Sequence, residues 1–247
     1  MINEQMARDL VALGIRPDDT VLVHSSLSSL GYVEGGADTV IDALISVLPE
    51  GTLLMPALSY KYCRPETPNF SAKDTPSCVG LITETFRKRE GVIRSIHPSH
   101  SVCGIGKYAK EILSQHIKSS TPVGPDSPFA LLPKYGGKVL MLGCGVAPNT
   151  SMHGVEELVV PDYLFREQEY PFTLIDEAGN QITKNYKFHN FKDTGQRYFR
   201  LANLMDIPSG KVLNAECHLI DAKKMWEVAH AALLKNPRYF VDDVSQK

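Results

Sequence analysis

The chain has 247 residues, of which 43% are hydrophobic and 22% are charged, so it can bury the core of one large soluble domain. Its formal net charge of −2 and the lack of a Lys/Arg-rich run give little support to a nucleic-acid partner. No apolar stretch approaches the roughly 18 residues of a membrane-spanning helix, and Met1 to Leu13 lacks the continuous apolar core of a signal peptide. We therefore expect a cytoplasmic protein without a membrane partner.

Hydrophobic periodicity predicts alternating helices and strands over the first two thirds of the chain. In chain order, the predicted elements are a helix over Ile2–Leu13, a strand over 20–24, a Ser- and Gly-rich turn over 25–36, a helix over 37–48, a strand over Thr52–Pro56, a polar loop over 61–76, a helix over 79–88, a strand over 92–96, a helix over 108–114 and a strand over Lys138–Leu142. The first strand–helix–strand unit predicts a parallel strand pair, and hence an α/β fold. The long polar loop is expected to be a lid or wall of a substrate site.

Beyond Pro161 the pattern changes from alternating helices and strands to an antiparallel hairpin. The predicted elements here are strands over 172–175 and 181–188, helices over 194–205 and 221–234, and strands over 211–213 and 217–220. We interpret residues 1–247 as a single domain, with a smaller subdomain at about 162–192 left open.

Five cysteines are scattered along the chain and never stand in C-x-x-C spacing. They are Cys63, Cys78, Cys103, Cys144 and Cys217. An odd number at such spacings favours reduced thiols over disulfides or a zinc knuckle.

The most informative polar residues follow the predicted strand Lys138–Leu142. Asn149 and Thr150 can cap a helix in which His153 shares a face with Glu156, Glu157 or both. A histidine beside a carboxylate is the minimum equipment of a general base, and the carboxyl end of a buried strand is the usual place for an α/β active site. An ordinary surface ion pair is the alternative interpretation.

Two other polar segments could contact a ligand. The turn after His24 carries hydroxyls and glycines that suit amide or phosphate oxygens, but it matches neither a Walker loop nor a G-x-G-x-x-G fingerprint. His97 and His100 flank Pro98 in an extended segment, where a hydrogen-bonded wall histidine is favoured over a metal ligand. Ser127 and Pro128 predict a capped helix start. We expect no metal site.

Taken in order, these segments resemble the aminoglycoside 3-N-acetyltransferase family from about residue 5 to residue 235. The resemblance is carried by His24-Ser25-Ser26-Leu27, Gly35-Gly36, Gly51-Thr52-Leu53-Leu54-Met55-Pro56, Arg94-Ser95-Ile96-His97-Pro98 with Ser101, Ser127-Pro128, Thr150-x-x-His153-x-x-Glu156, and Gly210-Lys211-Val212 to Cys217. No single motif is decisive, but their joint order is specific.

The resemblance implies a three-layer α/β/α sandwich with a mainly parallel central sheet, and transfer of an acetyl group from acetyl-CoA to an amine. In this interpretation His153 is the general base, Glu156 orients it, and Thr150 donates a hydrogen bond to the thioester oxygen. The amine attacks directly, without an acyl-enzyme. The expected partners are acetyl-CoA and a small amine. Whether the protein forms a homodimer is left open.

The resemblance also implies binding residues. On the acetyl-CoA side they are His24, Ser25, Ser26, Ser28, Gly35, Gly36, His97 and Ser101. Tyr60 and Glu157 are assigned to the acceptor side, although Glu157 could equally replace Glu156 or face solvent.

The chain departs from the family where the acceptor is recognised. Drug-modifying members carry an acidic and aromatic pair after the second strand, whereas this chain has Ala57-Leu58-Ser59-Tyr60. The loss of a carboxylate weakens the prediction of an aminoglycoside, and hence of a role in antibiotic resistance. Two rival functions remain: a CoA-binding or ligand-sequestering protein without turnover, and a hydrolase with Ser26 or Cys144 as nucleophile, although no G-x-S-x-G elbow occurs.

Overall fold

Helices alternate with strands through most of the chain, and a computed structural model describes residues 2–244. In this part the α-helices are α1 Ile2–Leu13, α2 Gly36–Ser46, α3 Leu81–Phe86, α4 Ala109–Ser114, α5 Pro128–Leu131, α6 Ser151–Val159 and α7 Ala222–Lys235. The strands are β1 Thr20–Ser25, β2 Thr52–Pro56, β3 Asn69–Ser71, β4 Ile93–Arg94, β5 Val102–Gly106, β6 Lys138–Leu142, β7 Phe165–Ile175, β8 Gln181–His189, β9 Thr194–Gln196, β10 Ser209–Val212, β11 Ala215–Asp221 and β12 Val241–Asp243.

The central sheet has the strand order β10-β11-β6-β1-β2-β5-β4. Strand β1 runs parallel to both neighbours, β2 and β6, as the predicted strand–helix–strand unit requires. The outer pairings are antiparallel, so that only β5 and β11 run against the other strands. The prediction of a mainly parallel central sheet is confirmed.

The side chains of the central strands alternate between two hydrophobic cores, one on each face of the sheet. Val21 and Val23 pack with α1, α2 and α3, whereas the intervening Leu22 packs with α4 to α7 on the opposite face. Helices therefore cover both faces of the sheet. This arrangement confirms the three-layer α/β/α sandwich.

A smaller sheet lies beside the main one and consists of β3, β7 and β8 in that order. The predicted hairpin is confirmed, and its strands are longer than predicted. Phe70, Phe172 and Tyr186 form the centre of a separate core under this sheet. The division of the chain into domains, including a subdomain at 162–192, stays a prediction.

Several parts of the chain differ from the predicted elements, including the short strand Asn69–Ser71 inside the predicted polar loop. The helix predicted over 194–205 is wrong, because Thr194–Gln196 pairs with Val241–Asp243 and only Tyr198–Asn203 turns, as a 3₁₀ helix. Strand Val102–Gly106 was not predicted, because it contains two glycines. At one of them, Gly104, an added Cβ would lie 2.5 Å from the Leu54 side chain, so close packing against β2 excludes a larger residue.

Candidate active site

A cavity of about 740 Å³ lies at the carboxyl ends of β1, β2 and β6. His24 and Ser25 line it from the end of β1, Pro56 from the end of β2, and Cys144 from the segment just beyond β6. The parallel strands all end at this edge of the sheet, where ligands bind in most open α/β sheets.

Helix α6 brings His153 and Glu156 together at one wall of this cavity. His153 lines the cavity with 15% of its side chain exposed, whereas Glu156 is fully buried. The two side chains are three residues apart on one helix face, and Nδ1 of His153 lies 3.0 Å from Oε2 of Glu156. The alternative of a surface ion pair is therefore wrong.

Two tyrosines complete this histidine–glutamate pair. The hydroxyl of Tyr198 donates to Oε2 of Glu156 at 2.7 Å and lies 2.6 Å from Nδ1 of His153. The hydroxyl of Tyr163 donates to the other oxygen, Oε1, at 2.8 Å. The sequence pattern predicts neither tyrosine, because Tyr198 is 42 residues from Glu156 and Tyr163 lies beyond the end of α6.

The surroundings of Glu156 keep its carboxylate charged. Burial acts to raise the pKa of Glu156, but the hydrogen bonds from His153, Tyr198 and Tyr163 outweigh it and leave the pKa below its ordinary value. Burial and the same carboxylate hold the pKa of Tyr198 well above its ordinary value, so its hydroxyl remains a donor.

These contacts fix the tautomer of His153. Because Tyr198 donates to Glu156, Nδ1–H of His153 is the donor to the Tyr198 oxygen and to the carboxylate, and Nε2, which makes no hydrogen bond within residues 2–244, is the ring nitrogen left for a ligand. The ring of Phe191 stacks on the imidazole at 4.8 Å and holds its plane. The arrangement has the parts of a general base with an orienting acid.

Asn149, not Thr150, caps helix α6. The side-chain oxygen of Asn149 accepts from the backbone N–H of Ser151 at 3.1 Å. Thr150 lines the cavity, and its hydroxyl makes no hydrogen bond to any residue within 2–244. Its hydroxyl can therefore donate to a bound ligand.

Glu157 belongs to a second histidine–carboxylate pair behind the cavity wall. Its carboxyl group accepts from the Thr121 hydroxyl at 2.5 Å, from the Val123 N–H at 2.7 Å and from Nε2 of His189 at 2.9 Å. Burial raises its pKa to about 7. The expectations that Glu157 could orient His153, face solvent or contact an acceptor do not fit this position, because its side chain is only 6% exposed, lies outside the cavity lining and binds these three other partners.

Four histidines line the cavity: His24, His100, His153 and His189. Burial lowers the pKa of His24 to about 3 and holds the pKa values of His100 and His189 well below the ordinary value, so these three rings are neutral. His100 stands in the same short segment as His97 but was not assigned to the site.

The structure contradicts the assignment of His97 and Ser101 to the groove. His97 is fully buried, and both ring nitrogens are occupied: Nε2–H donates to the Thr121 carbonyl, and Nδ1 accepts from the N–H groups of Ser99 and His100. The hydroxyl of Ser101 donates to the Ala57 carbonyl and accepts from Arg94. Both side chains hold the loop that presents His100 to the cavity.

The predicted acetyl-CoA turn lies beside the cavity. Ser25 lines the cavity, whereas Ser26 and Ser28 do not. The hydroxyl groups of Ser26 and Ser28 lie 3.3 Å apart. Gly35 and Gly36 have φ angles of 79° and 60°, which glycine adopts readily, and α2 begins at Gly36.

The polar loop over 61–76 forms part of the cavity wall, as predicted. Arg64, Pro65 and Glu66 line the cavity, and Tyr60 lines it just before the loop with 42% of its surface exposed. Within residues 2–244, no group of three or more His, Cys, Asp or Glu side chains is arranged to hold a metal ion. In the same part of the chain, no helix has the length and apolarity to span a membrane.

The fold and the cavity define an α/β/α sandwich with a histidine–glutamate pair at the carboxyl edge of its sheet. The chain belongs to the aminoglycoside 3-N-acetyltransferase family, which matches residues 22–234. Enzymes of this family are acyltransferases, and acetyl-CoA fits the family as the cosubstrate.

Two relatives illustrate the sequence similarity. The chain is 32% identical to the aminoglycoside N(3')-acetyltransferase-like protein YokD of Bacillus subtilis, over 94% of this chain and 92% of that protein. It is 35% identical to aminoglycoside N(3)-acetyltransferase VII of Streptomyces paromomycinus, over 75% of this chain and 69% of the enzyme.

Solved structures show the same fold. The crystal structure of YokD has a TM-score of 0.82 and 30% identity, covering 96% of this chain and 94% of its own. AAC-IIIb with CoASH and AAC-VIa bound to sisomicin each have a TM-score of 0.80 and 26% identity, covering 94% of this chain and 96% of theirs.

Proposed function

We propose that this protein is an acetyl-CoA-dependent N-acetyltransferase that moves an acetyl group to an amine of a small substrate, with His153 as general base. One observation carries the proposal: a buried, ionised Glu156 holds Nδ1 of an imidazole whose ring lines the cavity. The family relationship and the CoASH-bound neighbour support the donor.

The chemistry requires a base at this position. An alkyl amine has a pKa near 10 and is mostly protonated at neutral pH, whereas attack on a thioester requires its lone pair. Nε2 of His153 can accept the proton from the amine, and the carboxylate of Glu156 stabilises the imidazolium that forms.

Acetyl-CoA, when bound, supplies the thioester carbonyl. The free hydroxyl of Thr150 is suited to donate to the carbonyl oxygen as charge develops there. Ser25 and His24 contact the acyl end of the groove in this proposal, and the turn with Ser26, Ser28, Gly35 and Gly36 receives the rest of the coenzyme. The amine approaches from the side of Tyr60.

The hydrolase alternative has less support. Burial raises the pKa of the Cys144 thiol to about 12, so the thiolate is scarce at neutral pH. The hydroxyl of Ser26 contacts those of Ser28 and Ser29, and no histidine activates it. Direct transfer needs neither nucleophile.

An aminoglycoside is one candidate acceptor, with its 3-amino group as the acetylated position, because AAC-VIa has been solved with sisomicin. Other small amines are equally compatible with a histidine base.

The proposal is tested by thiol release from acetyl-CoA in the presence of a panel of amines that includes sisomicin. We expect amine-dependent release of CoA and an acetylated amine in the mass spectrum. Release with no amine present, together with an acyl adduct on Ser26 or Cys144, would instead support the hydrolase. Binding of acetyl-CoA without release for any amine would support the sequestering protein.

A further inference from the structure

The charged side chains that line the cavity are Arg64, Arg166 and Glu66. The cavity lining therefore carries two guanidinium groups and one carboxylate. Three histidines of the cavity wall, His24, His100 and His189, add no charge, because burial lowers the pKa of each ring and keeps it neutral.

Both guanidinium groups are free of protein partners. Within residues 2–244, neither Arg64 nor Arg166 makes an ion pair or a side-chain hydrogen bond. Most other arginines are neutralised on this molecule: for example, Arg87 binds Glu84 and Arg197 binds Asp242. An arginine on a cavity wall with no carboxylate to bind is available to an anionic ligand.

Ordered backbone presents both arginines to the cavity. Arg64 and Thr67 exchange backbone hydrogen bonds in a tight turn, and the neighbouring Cys63 is fully buried. Arg166 lies where the pairing of β7 with β8 shifts register between Phe165 and Glu169. Such irregularities often redirect a side chain next to an active site.

The acidic groups of the site are not available to a cationic acceptor. Glu156 is buried behind His153 and bonded to it, and Glu157 is bonded to His189, Thr121 and Val123. The segment after β2, from Ala57 to Tyr60, contributes no carboxylate. A polycation would therefore meet two guanidinium groups and only one carboxylate on the cavity wall.

Building on the acetyl transfer proposed above, we propose that the acceptor is an amine that also carries an anionic group, a phosphate or a carboxylate, which Arg64 and Arg166 bind while the amine reaches His153. A bidentate guanidinium contact suits either anion. The phosphates of the coenzyme have the same chemistry, so the experiment separates the two sources.

The first measurement is calorimetric binding of glucosamine 6-phosphate and of glucosamine, which differ by one phosphate, to the protein saturated with CoA. We expect the phosphate form to bind about ten- to hundred-fold more tightly. The Arg64→Gln/Arg166→Gln variant should lose this preference, and Arg16→Gln, which removes an exposed arginine outside the cavity, should keep it. Equal binding of the two sugars by the unmodified protein, or a preference retained in the double variant, would overturn the proposal.

The second measurement is the initial rate with acetyl-CoA. We expect the double variant to raise KM for glucosamine 6-phosphate and to leave KM for acetyl-CoA unchanged. A rise confined to acetyl-CoA, absent with the phosphate-free donor S-acetyl-N-acetylcysteamine, would assign the arginines to the coenzyme and overturn the proposal. If arginine-dependent binding is found but no amine releases thiol, the acetyltransferase proposal fails and the anion site stands.

Discussion

At the scale of single residues, the carboxylate of Glu156 is the centre of the candidate site. It receives hydrogen bonds from two tyrosine hydroxyls and from the imidazole of His153, and each bond stabilises its charged form. The two hydroxyls differ in their second contact. Tyr198 also contacts Nδ1 of His153, whereas Tyr163 makes a longer hydrogen bond of 3.5 Å to the Pro237 carbonyl and does not contact His153.

This difference makes Tyr198→Phe and Tyr163→Phe a matched pair. A hydrogen bond to a charged group contributes about 1.5–3 kcal/mol, so each variant should lower the free energy of unfolding by a similar amount. We expect kcat of acetyl transfer to fall roughly tenfold or more in Tyr198→Phe and much less in Tyr163→Phe, because only Tyr198 holds the imidazole. Equal losses of kcat would show that the tyrosines act only through Glu156.

Sequence reasoning could identify the members of this site that share one helix. His153 and Glu156 are three residues apart, and helical geometry alone places them on one face. Tyr198 and His189 could not be found in this way, because packing between distant segments brings them to Glu156 and Glu157. Tyr163 is only seven residues from Glu156, but it lies beyond the end of α6, where helical spacing no longer applies.

At the scale of elements, the helices and strands with an unbroken apolar pattern could be predicted from the sequence. The helix Ile2–Leu13 and the strand Thr52–Pro56 have the predicted bounds. The segment 194–205 was mispredicted because the pairing of β9 with β12 depends on a strand 45 residues or more away in sequence, which local periodicity does not show. His97 was chosen over His100 because sequence does not reveal which imidazole supports the turn around Pro98.

The packing of α6 against α7 explains a glycine in the helix that carries His153. A Cβ at Gly154 would lie 2.6 Å from the indole ring of Trp226 and 2.9 Å from the Val123 side chain. Gly154 therefore allows the close approach of α7, at a cost in helix propensity of about 1 kcal/mol relative to alanine.

We predict that Gly154→Ala lowers the free energy of unfolding by about 1–3 kcal/mol, because overpacking outweighs the better helix propensity. Urea denaturation measures this change. Adding Trp226→Leu removes the clashing ring atoms, so the double variant should lose less than the sum of the two single variants. A stabilised Gly154→Ala would contradict the packing argument.

At the scale of the whole molecule, the buried histidines should make stability depend steeply on pH. Burial lowers the pKa of His24, His97, His100, His116 and His189. Their unfolded pKa is about 6.5, so the stability they contribute is present above that pH and is lost as the pH falls below it. Glu157 acts in the opposite direction: its contribution is present below its unfolded pKa of about 4.3 and is lost as the pH rises through about 7.

Because five imidazoles oppose one carboxyl group, the free energy of unfolding should fall by roughly 6 kcal/mol between pH 6.5 and pH 5. Urea unfolding at the two pH values measures the fall. His116→Gln removes one buried imidazole and should make the fall smaller, whatever its effect on stability at pH 6.5. A flat profile over this interval would contradict the neutral state of the buried rings.

The central claim is that His153 removes a proton from the acceptor amine. The most direct test compares kcat of acetyl transfer and the Kd of acetyl-CoA in His153→Gln and in the unmodified protein. The account predicts a loss of kcat of about 10²- to 10⁴-fold, with Kd within about twofold, because the base acts on the amine and does not hold the donor. A near-normal kcat in His153→Gln would contradict it.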